Sequence, residues 1–247
     1  MSVKGYGSFA AFYDRLQEAD YEEIGAYYHK RLKATGVSGN ILLDLACGTG
    51  KLSRYFSKRG YDVIGADISP EMLSEAFKYP HAGIQYLCQD MTGLDLYGTV
   101  DCCICALDGI NHLPDEKAVR KAFSRVSLFM NKGGAFIFDV NTLYKHKKIL
   151  AGNTFVYETE DVYCVWRNSP SESGRVDMTI DIFSIDSKTG GKWQRYAESF
   201  SERAYPLTEI AKMLENTGFG DICAFDWLTS NPAGESGEKA VFTAIKL

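Results

Sequence analysis

A ten-residue stretch, ILLDLACGTG at residues 41–50, constrains the fold of this chain more than any other feature of its sequence. It begins as an apolar run, which is typical of a buried parallel strand. It ends in Gly48 and Gly50, which let the backbone turn tightly and approach a ligand without an intervening Cβ atom. Apolar residues at helical spacing follow from Leu52. A strand, a glycine turn and a helix in this order open the doubly wound sheets that bind ligands beyond the carboxyl ends of their strands.

The residues around the glycine turn argue against one common ligand of such sheets. The dinucleotide fingerprint requires a third glycine three residues after the second, and Ser53 stands at that position. The acidic side chain of Asp44 inside the strand is also unfavourable for a phosphate group. A carboxylate at this place suits a cationic or amino-bearing ligand better than a pyrophosphate.

The segment DLACGTG resembles the first motif of class I S-adenosylmethionine (SAM) methyltransferases. Ala46 stands where that family usually has the first glycine of the motif. The resemblance implies that SAM is the cofactor and that this turn contacts it. The implied contact residues of the segment are Asp44, Ala46, Cys47, Gly48 and Gly50. An ordinary strand-to-helix turn with convenient glycines is the alternative interpretation.

A second acidic strand end begins the segment DISPEML. Its first residue, Asp67, falls 17 residues after Gly50, where a carboxylate can accept hydrogen bonds from both hydroxyls of a ribose. The segment resembles the second motif of the same methyltransferase family, and the resemblance implies further cofactor contacts by Ile68 and Met72. A solvent-exposed strand end is the alternative interpretation of Asp67.

The ends of the third and fourth strands carry the remaining predicted cofactor contacts. By resemblance to the family, Asp90 reads the amino group of adenine and Met91 packs against the adenine ring. Leu107, which follows the fourth strand, belongs to the same set of predicted contacts. A turn-forming role is the alternative for Asp90, since aspartate often stabilises turns.

The N-terminal segment contains two helical stripes of aromatic and aliphatic residues before the first strand. Its FAAFYD segment, residues 9–14, resembles the opening segment of small bacterial methyltransferases, in which the tyrosine lies near the methionine part of SAM. The resemblance implies an N-terminal helical lid in which Tyr13 contacts the cofactor. Plain core packing against the sheet is the alternative for Tyr13.

The order of the predicted elements indicates the fold class. Up to residue 140, short apolar strands alternate with helices, which implies a parallel sheet with helices on both faces. Two closing strands, at 221–228 and 239–246, fit the antiparallel end of the family's sheet. We therefore predict an α/β protein with a doubly wound, mostly parallel, seven-stranded Rossmann-like sheet.

After residue 141 the hydrophobic pattern changes to a period of two residues. Three runs with this pattern predict three strands of a small antiparallel sheet, at 155–166, 175–183 and 192–204. The predicted SAM-binding domain, with its lid, therefore comprises 1–140 and 206–247. Residues 141–205 form a predicted insertion on the substrate side, and we expect its sheet to share the core of the main domain.

Methyl transfer from a sulfonium requires the protein mainly to align the reactants and exclude water, and a base near neutrality assists it. Of the four histidines, His112 alone follows the fourth strand, at the end of the sheet where the methyl group is expected. Its Asn-His-Leu setting resembles that of sugar-amine N-methyltransferases and their small bacterial relatives. The resemblance makes His112 the candidate base, accompanied by Tyr13 as a second candidate catalytic residue. A structural histidine is the alternative for His112.

Composition argues against several other classes of protein. The chain has 27 Lys and Arg against 32 Asp and Glu, and the resulting net charge of −5 disfavours a general binder of polyanions. Its seven cysteines lack the paired spacing of zinc sites, so we expect no metal. No apolar run approaches the length of a membrane span, and no signal peptide is recognisable, so the predicted location is the cytoplasm.

The sequence therefore predicts a SAM-dependent methyltransferase that acts on nitrogen or oxygen of a small-molecule acceptor. An RNA methyltransferase acting on tRNA is the second hypothesis, because the basic run KHKK at 145–148 and an aromatic-rich insertion could contact phosphates and bases. A SAM-binding protein without catalysis is the third. We expect a monomer or a homodimer with no membrane partner.

Overall fold

The computed structural model describes residues 9–16, 19–169, 173–186, 191–234 and 236–247. Within these ranges the chain forms a large sheet, a small sheet and the helices that cover them. The strands are, in chain order, β1 (Ile41–Leu45), β2 (Asp62–Asp67), β3 (Ile84–Cys88), β4 (Val100–Cys105), β5 (Met130–Asn141), β6 (Thr154–Glu158), β7 (Val162–Asn168), β8 (Arg175–Asp186), β9 (Lys192–Arg203), β10 (Phe219–Asp226) and β11 (Lys239–Lys246). The α-helices are α1 (Ala10–Leu16), α2 (Tyr21–Ala34), α3 (Lys51–Ser57), α4 (Pro70–Phe77), α5 (Glu116–Leu128) and α6 (Leu207–Glu215).

The large sheet has seven strands in the order β10-β11-β5-β4-β1-β2-β3. The five strands from β3 to β5 in this order pair in parallel, whereas β11 pairs antiparallel with both β5 and β10. The predicted seven-stranded, mostly parallel sheet with an antiparallel closing pair is confirmed. The helices that alternate with the strands supply the crossovers that parallel pairing requires.

Helices cover both faces of the large sheet, as a doubly wound fold requires. On one face α2 and α3 pack against Leu42 and Cys102, and on the other α5 and α6 pack against Leu43 and Cys103. Consecutive residues of β1 and β4 therefore point into two different hydrophobic cores. This burial on both sides explains why the two strands are almost wholly apolar.

The strand order reverses at β1, because β2 lies on one side of it and β4 on the other. At such a reversal the turns that leave the two central strands diverge and open a crevice. The turn at 46–50 therefore lies beside the turn at 106–112, and a Cβ atom built on Gly109 would be 3.0 Å from the Cβ atom of Ala46. The crevice faces the end of the sheet where the sequence places the cofactor motifs.

The small sheet has four antiparallel strands in the order β6-β7-β8-β9, rather than the three that we predict from the sequence. The run at 155–166 is interrupted by a turn that begins at Thr159. The Thr159 N–H donates to the Val162 carbonyl at 2.8 Å, and the Val162 N–H donates to the Thr159 hydroxyl at 3.1 Å. These local hydrogen bonds separate β6 from β7, and the alternating pattern does not show them.

The small sheet also has a core of its own, which contradicts our expectation of a shared core. Phe9 and Phe12 of α1 pack against the buried side chains of β7 and β8, among them Val162 and Ile180. Helix α1 therefore covers the inserted sheet, and α2 provides the N-terminal contribution to the core of the large sheet. The two aromatic stripes near the N-terminus serve two different sheets.

All seven cysteines are free thiols in the structure, and those of β4 are buried. The buried ones pack as small hydrophobic side chains, as the sequence predicts. Among the described residues, no helix combines the length and the apolar character that crossing a bilayer would need.

Gly25 in α2 provides a test of the packing between α2 and α3, because a Cβ atom there would lie 2.6 Å from the ring of Tyr55. Alanine favours helix over glycine by roughly 0.5–1 kcal/mol. We nevertheless expect Gly25→Ala to lower the free energy of unfolding by about 1–3 kcal/mol, because the new methyl group overpacks the contact. Urea unfolding measures the change, and a variant as stable as the wild type would contradict the packing. Ala26→Gly, at the exposed neighbouring position, should lower the free energy of unfolding only by the difference in helix propensity between alanine and glycine.

Candidate active site

A cavity of about 370 Å³ lies at the carboxyl ends of β1, β2 and β4, bounded by α1 and by the edge strand β9 of the small sheet. Cavities of this order of size are typical of small-ligand sites. Most of the residues that we predict from the sequence line it, namely Tyr13, Asp44, Ala46, Cys47, Gly48, Asp67, Ile68, Met72, Met91, Leu107 and His112. The fold therefore brings together residues from five separate segments of the chain.

Two predicted contact residues, Gly50 and Asp90, are outside the described lining of this cavity. Gly50 has a φ of 72°, and a Cβ atom there would collide with the hydroxyl of Tyr86, so this glycine serves the turn and its packing. The Asp90 carboxylate accepts a hydrogen bond from the Thr92 N–H at 2.7 Å. That is the turn-forming role left open by the sequence, and a contact of Asp90 with adenine stays a prediction.

The turn after β1 is held by the carboxylate of Asp67 at the end of the neighbouring strand. Oδ2 of Asp67 accepts from the Gly48 N–H and Oδ1 accepts from the Ser69 N–H, both at 2.8 Å. Burial raises the pKa of Asp67, and these backbone hydrogen bonds oppose the rise. A Cβ atom at Gly48 would meet nothing within 4 Å, so the backbone here is open to a ligand. Each Asp67 oxygen retains a second lone pair for a ribose hydroxyl.

Asp44 is a carboxyl group buried in the wall of the cavity, with 2% of its surface exposed. Its Oδ2 accepts a hydrogen bond of 2.5 Å from the Ser53 hydroxyl. Burial raises the pKa of Asp44 to about 7, with Ser53 opposing the rise and Asp67 adding to it. A cationic ligand in the cavity would favour the ionised form of this group. Ser53, which stands where a dinucleotide site has its third glycine, thus donates a hydrogen bond to the carboxyl group of Asp44.

The turn after β4 has an unusual backbone that a buried carboxylate holds in place. Leu107 and Asp108 have φ angles of 58° and 57°, a conformation that costs non-glycine residues about 1–3 kcal/mol each. Asp139 in β5 accepts from the Leu107 N–H at 2.6 Å and from the Asp108 N–H at 3.0 Å. The Tyr28 hydroxyl also donates to Asp139, at 2.7 Å. These charge-assisted hydrogen bonds offset the strain of the turn.

Lys239 in β11 completes the polar network under this turn. Its Nζ lies 2.6 Å from Asp108 Oδ1 and 3.3 Å from Asp139 Oδ2. Burial alone would raise the pKa of Asp108, but the ammonium of Lys239 holds it well below its ordinary value. Burial alone would lower the pKa of Lys239, and the two carboxylates raise it well above its ordinary value. The pair is therefore ionised at neutral pH.

His112 faces the cavity with a buried glutamate behind it. Its Nε2 lies 3.8 Å from Oε1 of Glu202, which is 3% exposed. Oε2 of Glu202 accepts from Asn141 Nδ2 at 2.9 Å and lies 3.3 Å from His146 Nε2. His146 Nδ1 donates to the Gly174 carbonyl at 2.7 Å, since a carbonyl oxygen can only accept. Glu202 thus lies between two imidazoles, one of which is buried and one of which faces the cavity.

Three of these side chains could ligate a metal ion by type and distance. Asp108, His112 and Glu202 each place one ligand atom within 4.8 Å of the others. Two carboxylates and an imidazole form a donor set that divalent metals accept. Lys239 already neutralises Asp108 and would be repelled by a metal ion beside it. The absence of a metal cofactor stays a prediction.

Helix α1 closes one side of the cavity, and it is tied both to the glycine turn and to the small sheet. Asp14 accepts from the Thr49 hydroxyl at 2.9 Å and lies 3.4 Å from Lys51 Nζ. Tyr13, in the same helix, lines the cavity. Toward the small sheet, Arg15 of α1 forms an ion pair with Asp161 in the turn between β6 and β7. This is the placement that a helical lid requires, and a role of Tyr13 in catalysis stays a prediction.

The basic run at 145–148 does not form one exposed basic face. His146 is fully buried, and Lys145 donates to the Asn141 side chain at 3.1 Å. Burial, reinforced by the nearby ammonium of Lys239, lowers the pKa of Lys145. Only Lys147 and Lys148 of the run are exposed. Two of the three lysines therefore remain exposed, which is less basic surface than the RNA hypothesis assumes.

Sequence reasoning missed the polar residues that support the predicted ones. Asp139 interrupts an otherwise apolar strand, and this interruption was an available signal. Glu202 and Lys239 had no comparable signal, because each lies in a mixed sequence far from the cofactor motifs. Their roles arise from contacts between segments that are distant in the chain.

Comparison with known proteins identifies the family. Residues 42–134 match the family model of a methyltransferase domain. A protein of Geobacillus sp. (strain WCH70), named only as a methyltransferase, is 30% identical over 98% of this chain and 99% of its own length. A glycine/sarcosine N-methyltransferase of Parasynechococcus marenigrum (strain WH8102) is 30% identical over 88% of this chain and 76% of its own. The crystal structure of a SAM-dependent methyltransferase from Clostridium acetobutylicum ATCC 824 matches with a TM-score of 0.87 and 30% identity, covering 98% of each chain.

The chain therefore belongs to the class I SAM-dependent methyltransferases. The predicted enzyme class and the predicted cofactor are confirmed. The open backbone at Gly48 and the carboxylates of Asp44 and Asp67 fit a cationic ligand that carries a ribose. The individual contacts of these residues with SAM remain predictions.

Asp44 should make stability depend on pH in a specific direction. Between about pH 4 and about pH 7 the native state keeps a proton that the unfolded chain has released, so the free energy of unfolding falls as the pH rises. The full effect is of the order of 4 kcal/mol for a shift of this size. In Asp44→Asn this contribution is absent, so the variant should gain stability over the wild type as the pH rises from 5 to 8. Equal pH dependence in urea unfolding of the two proteins would contradict the burial argument.

Asp67 should contribute strongly to cofactor affinity. We expect Asp67→Ala to weaken the binding of SAM and of its demethylated product, S-adenosylhomocysteine, by at least several-fold, because the ribose loses a shared acceptor. Isothermal titration calorimetry measures both affinities, and circular dichroism checks the fold. Asp62→Ala, at the exposed opposite end of β2, is the matched control and should bind as the wild type does. Unchanged affinity in Asp67→Ala would remove this residue from the ribose site.

Proposed function

We propose that this enzyme methylates an amine nitrogen of a small molecule. The observation that carries the proposal is the buried carboxylate of Glu202 beside His112 in the cavity wall. A carboxylate attracts an ammonium group, and an imidazole can take up the proton that an ammonium must lose before it attacks. A hydroxyl acceptor has no charge for Glu202 to attract, so an amine uses both groups.

A smaller cavity beside the main one supports an amine acceptor. It has a volume of about 60 Å³ and lies between α1 and the small sheet. Its wall combines the aromatic rings of Tyr157, Trp166 and Phe200 with the carboxyl groups of Asp108 and Glu202. Aromatic faces and carboxylates together attract cationic nitrogen. The small volume favours a small acceptor over a polymer.

The two ends of the site have separate tasks. When bound, SAM supplies a methyl group on a sulfonium, and an amine lone pair displaces the neutral thioether. Asp44, Gly48 and Asp67 would hold the cofactor, with Met72 and Met91 as the apolar surface beside them. The protein therefore contributes alignment and the exclusion of water at the cofactor end.

At the acceptor end the chain handles one proton. His112 Nε2 accepts the proton of the incoming ammonium and so exposes the nitrogen lone pair. Glu202, 3.8 Å away, stabilises the imidazolium that results. The His112 side chain is 24% exposed, which allows the proton to pass on to solvent. Asn141 fixes the Glu202 carboxylate from the buried side.

One relative supports the choice of nitrogen. The protein of Parasynechococcus marenigrum is named for methyl transfer to nitrogen of glycine and sarcosine, which are small amines. It aligns with 88% of this chain, so the alignment extends beyond the cofactor motifs.

Incubation of the pure enzyme with a metabolite extract and methyl-labelled SAM tests the proposal directly. We expect label in a small product whose new methyl group is attached to nitrogen, as identified by mass spectrometry and by NMR of the methyl carbon. Label on oxygen would refute the nitrogen assignment. Label in ribonuclease-sensitive material would favour the RNA hypothesis, and absence of transfer to either fraction would favour a non-catalytic role.

His112→Ala should separate catalysis from cofactor binding. We expect turnover of the labelled acceptor to fall by about 10²–10⁴-fold, because the ammonium loses its proton acceptor. The affinity for S-adenosylhomocysteine should change little, because His112 lies at the acceptor end. His81→Ala, outside the cavity, is the matched control and should retain wild-type turnover. Loss of cofactor affinity with unchanged turnover would make His112 a binding residue instead of a base.

A further inference from the structure

Two arginines face each other across the strands that border the cavity. Arg175 in β8 is the direct partner of Arg203 in β9, and both line the cavity. Like charges at directly opposite positions of neighbouring strands repel each other. A pair of this kind in a ligand-binding wall therefore needs compensation from an anion.

The structure provides only part of that compensation. Arg175 donates through Nε and Nη2 to Asp177 Oδ1, at 2.9 and 2.8 Å. Among the described residues, no carboxylate lies within 4.0 Å of a charged nitrogen of Arg203. Its Nε is buried and has no hydrogen-bond partner within the described chain. Arg175 thus has a carboxylate partner, whereas Arg203 has none in the described chain and retains a buried donor.

A second buried donor, near Arg203, also lacks a hydrogen-bond partner among the described residues. The Tyr205 hydroxyl is buried and has no hydrogen-bond partner among the described residues. Burial raises the pKa of Tyr205 to about 12, and the nearby charge of Arg203 acts in the opposite direction. A buried donor without an acceptor destabilises the folded protein. Of these two residues only Arg203 lines the cavity, so its unpartnered donor is the one that points to an acceptor group bound beside β9.

We propose that Arg203, assisted by Arg175, binds an anionic group of the methyl acceptor, either a carboxylate or a phosphate ester. Guanidinium groups bind both kinds of anion through paired N–H donors. The acceptor then carries an amine for Glu202 and His112 and an anion for Arg203. This inference rests on the proposed function, because it describes the same acceptor.

Acidic and basic side chains line different walls of the cavity. Asp44 and Asp67 make the cofactor end acidic, whereas the arginines lie at the end formed by β8 and β9. The carboxylate of the methionine part of SAM is the competing occupant of Arg203. Experiments with the cofactor site already filled distinguish the two.

Thermal unfolding of the enzyme saturated with S-adenosylhomocysteine tests the subsite without knowledge of the acceptor. The probes are inorganic phosphate and acetate, compared with chloride at matched ionic strength. We expect phosphate or acetate to raise the unfolding midpoint of the wild type, and the larger shift indicates whether the acceptor carries a phosphate or a carboxylate. The shift should vanish in Arg203→Gln and be reduced in Arg203→Lys, which keeps the charge but loses the paired donors.

Arg195→Gln is the matched control, because Arg195 lies on the same strand and pairs with Asp181 outside the cavity. This variant should respond to the anions as the wild type does. Absence of a shift in the wild type, or an equal shift in Arg203→Gln, would overturn the proposal. A shift that appears only without S-adenosylhomocysteine would assign Arg203 to the cofactor. Binding of S-adenosylhomocysteine checks that each variant is folded.

The labelled product separates failure of this inference from failure of the proposed function. At about pH 11 amines are mostly neutral, so a product that carries a carboxylate or phosphate should be retained on an anion exchanger. A labelled N-methyl product that is not retained would overturn the anion subsite and leave the proposed function intact. With the retained acceptor, KM should rise about tenfold to a hundredfold in Arg203→Gln, with a smaller change in kcat.

Discussion

The active site depends on two carboxylates that each hold the turn of a neighbouring strand. Asp67 at the end of β2 binds the Gly48 N–H in the turn after β1, and Asp139 in β5 binds the Leu107 and Asp108 N–H groups after β4. Parallel pairing aligns the carboxyl ends of adjacent strands, so an acid on one strand reaches the turn of the next. Both turns contain residues with left-handed backbone, which these hydrogen bonds stabilise. Without them the crevice would lose its shape before any ligand bound.

Acidic and basic side chains line different parts of the cavity. The cofactor end has the buried carboxyl groups of Asp44 and Asp67, which suit a cation with a ribose. The centre has Glu202 with an imidazole in front of it, and the far end has a guanidinium group in Arg203 that lacks a carboxylate partner in the described chain. This distribution of charge supports the proposal that a cationic cofactor, an amine and an anion bind side by side. The ammonium group of Lys239 lies beside the carboxylates of Asp108 and Asp139 and offsets the repulsion between them.

Local sequence patterns predicted the large sheet well and the small sheet less well. The large sheet follows from apolar strands separated by helices, and its central strands β1 and β4 are buried on both faces, which leaves nearly continuous apolar runs. In the small sheet the alternating pattern continues through the turn at Thr159, so one predicted run contains two strands. The cofactor motifs identified most of the cavity lining because each is a contiguous segment at a strand end. Asp90 and Gly50 lie outside this lining. Asp90 forms a hydrogen bond within its own turn, and Gly50 packs closely against Tyr86.

The sequence by itself determined the fold class and the family resemblance, and it predicted the residues of the cofactor end and His112, because these follow from residues within a few positions of one another. Only the tertiary structure brought Glu202 and the pair of Lys239 and Asp108 next to His112. Glu202 comes from β9, Lys239 from β11 and His112 from the turn after β4, and no local pattern relates them. Their functions depend on distances between atoms, on burial that shifts ionisation, and on which charges have partners. These quantities exist only once the chain has closed the small sheet and α1 over the ends of the large sheet.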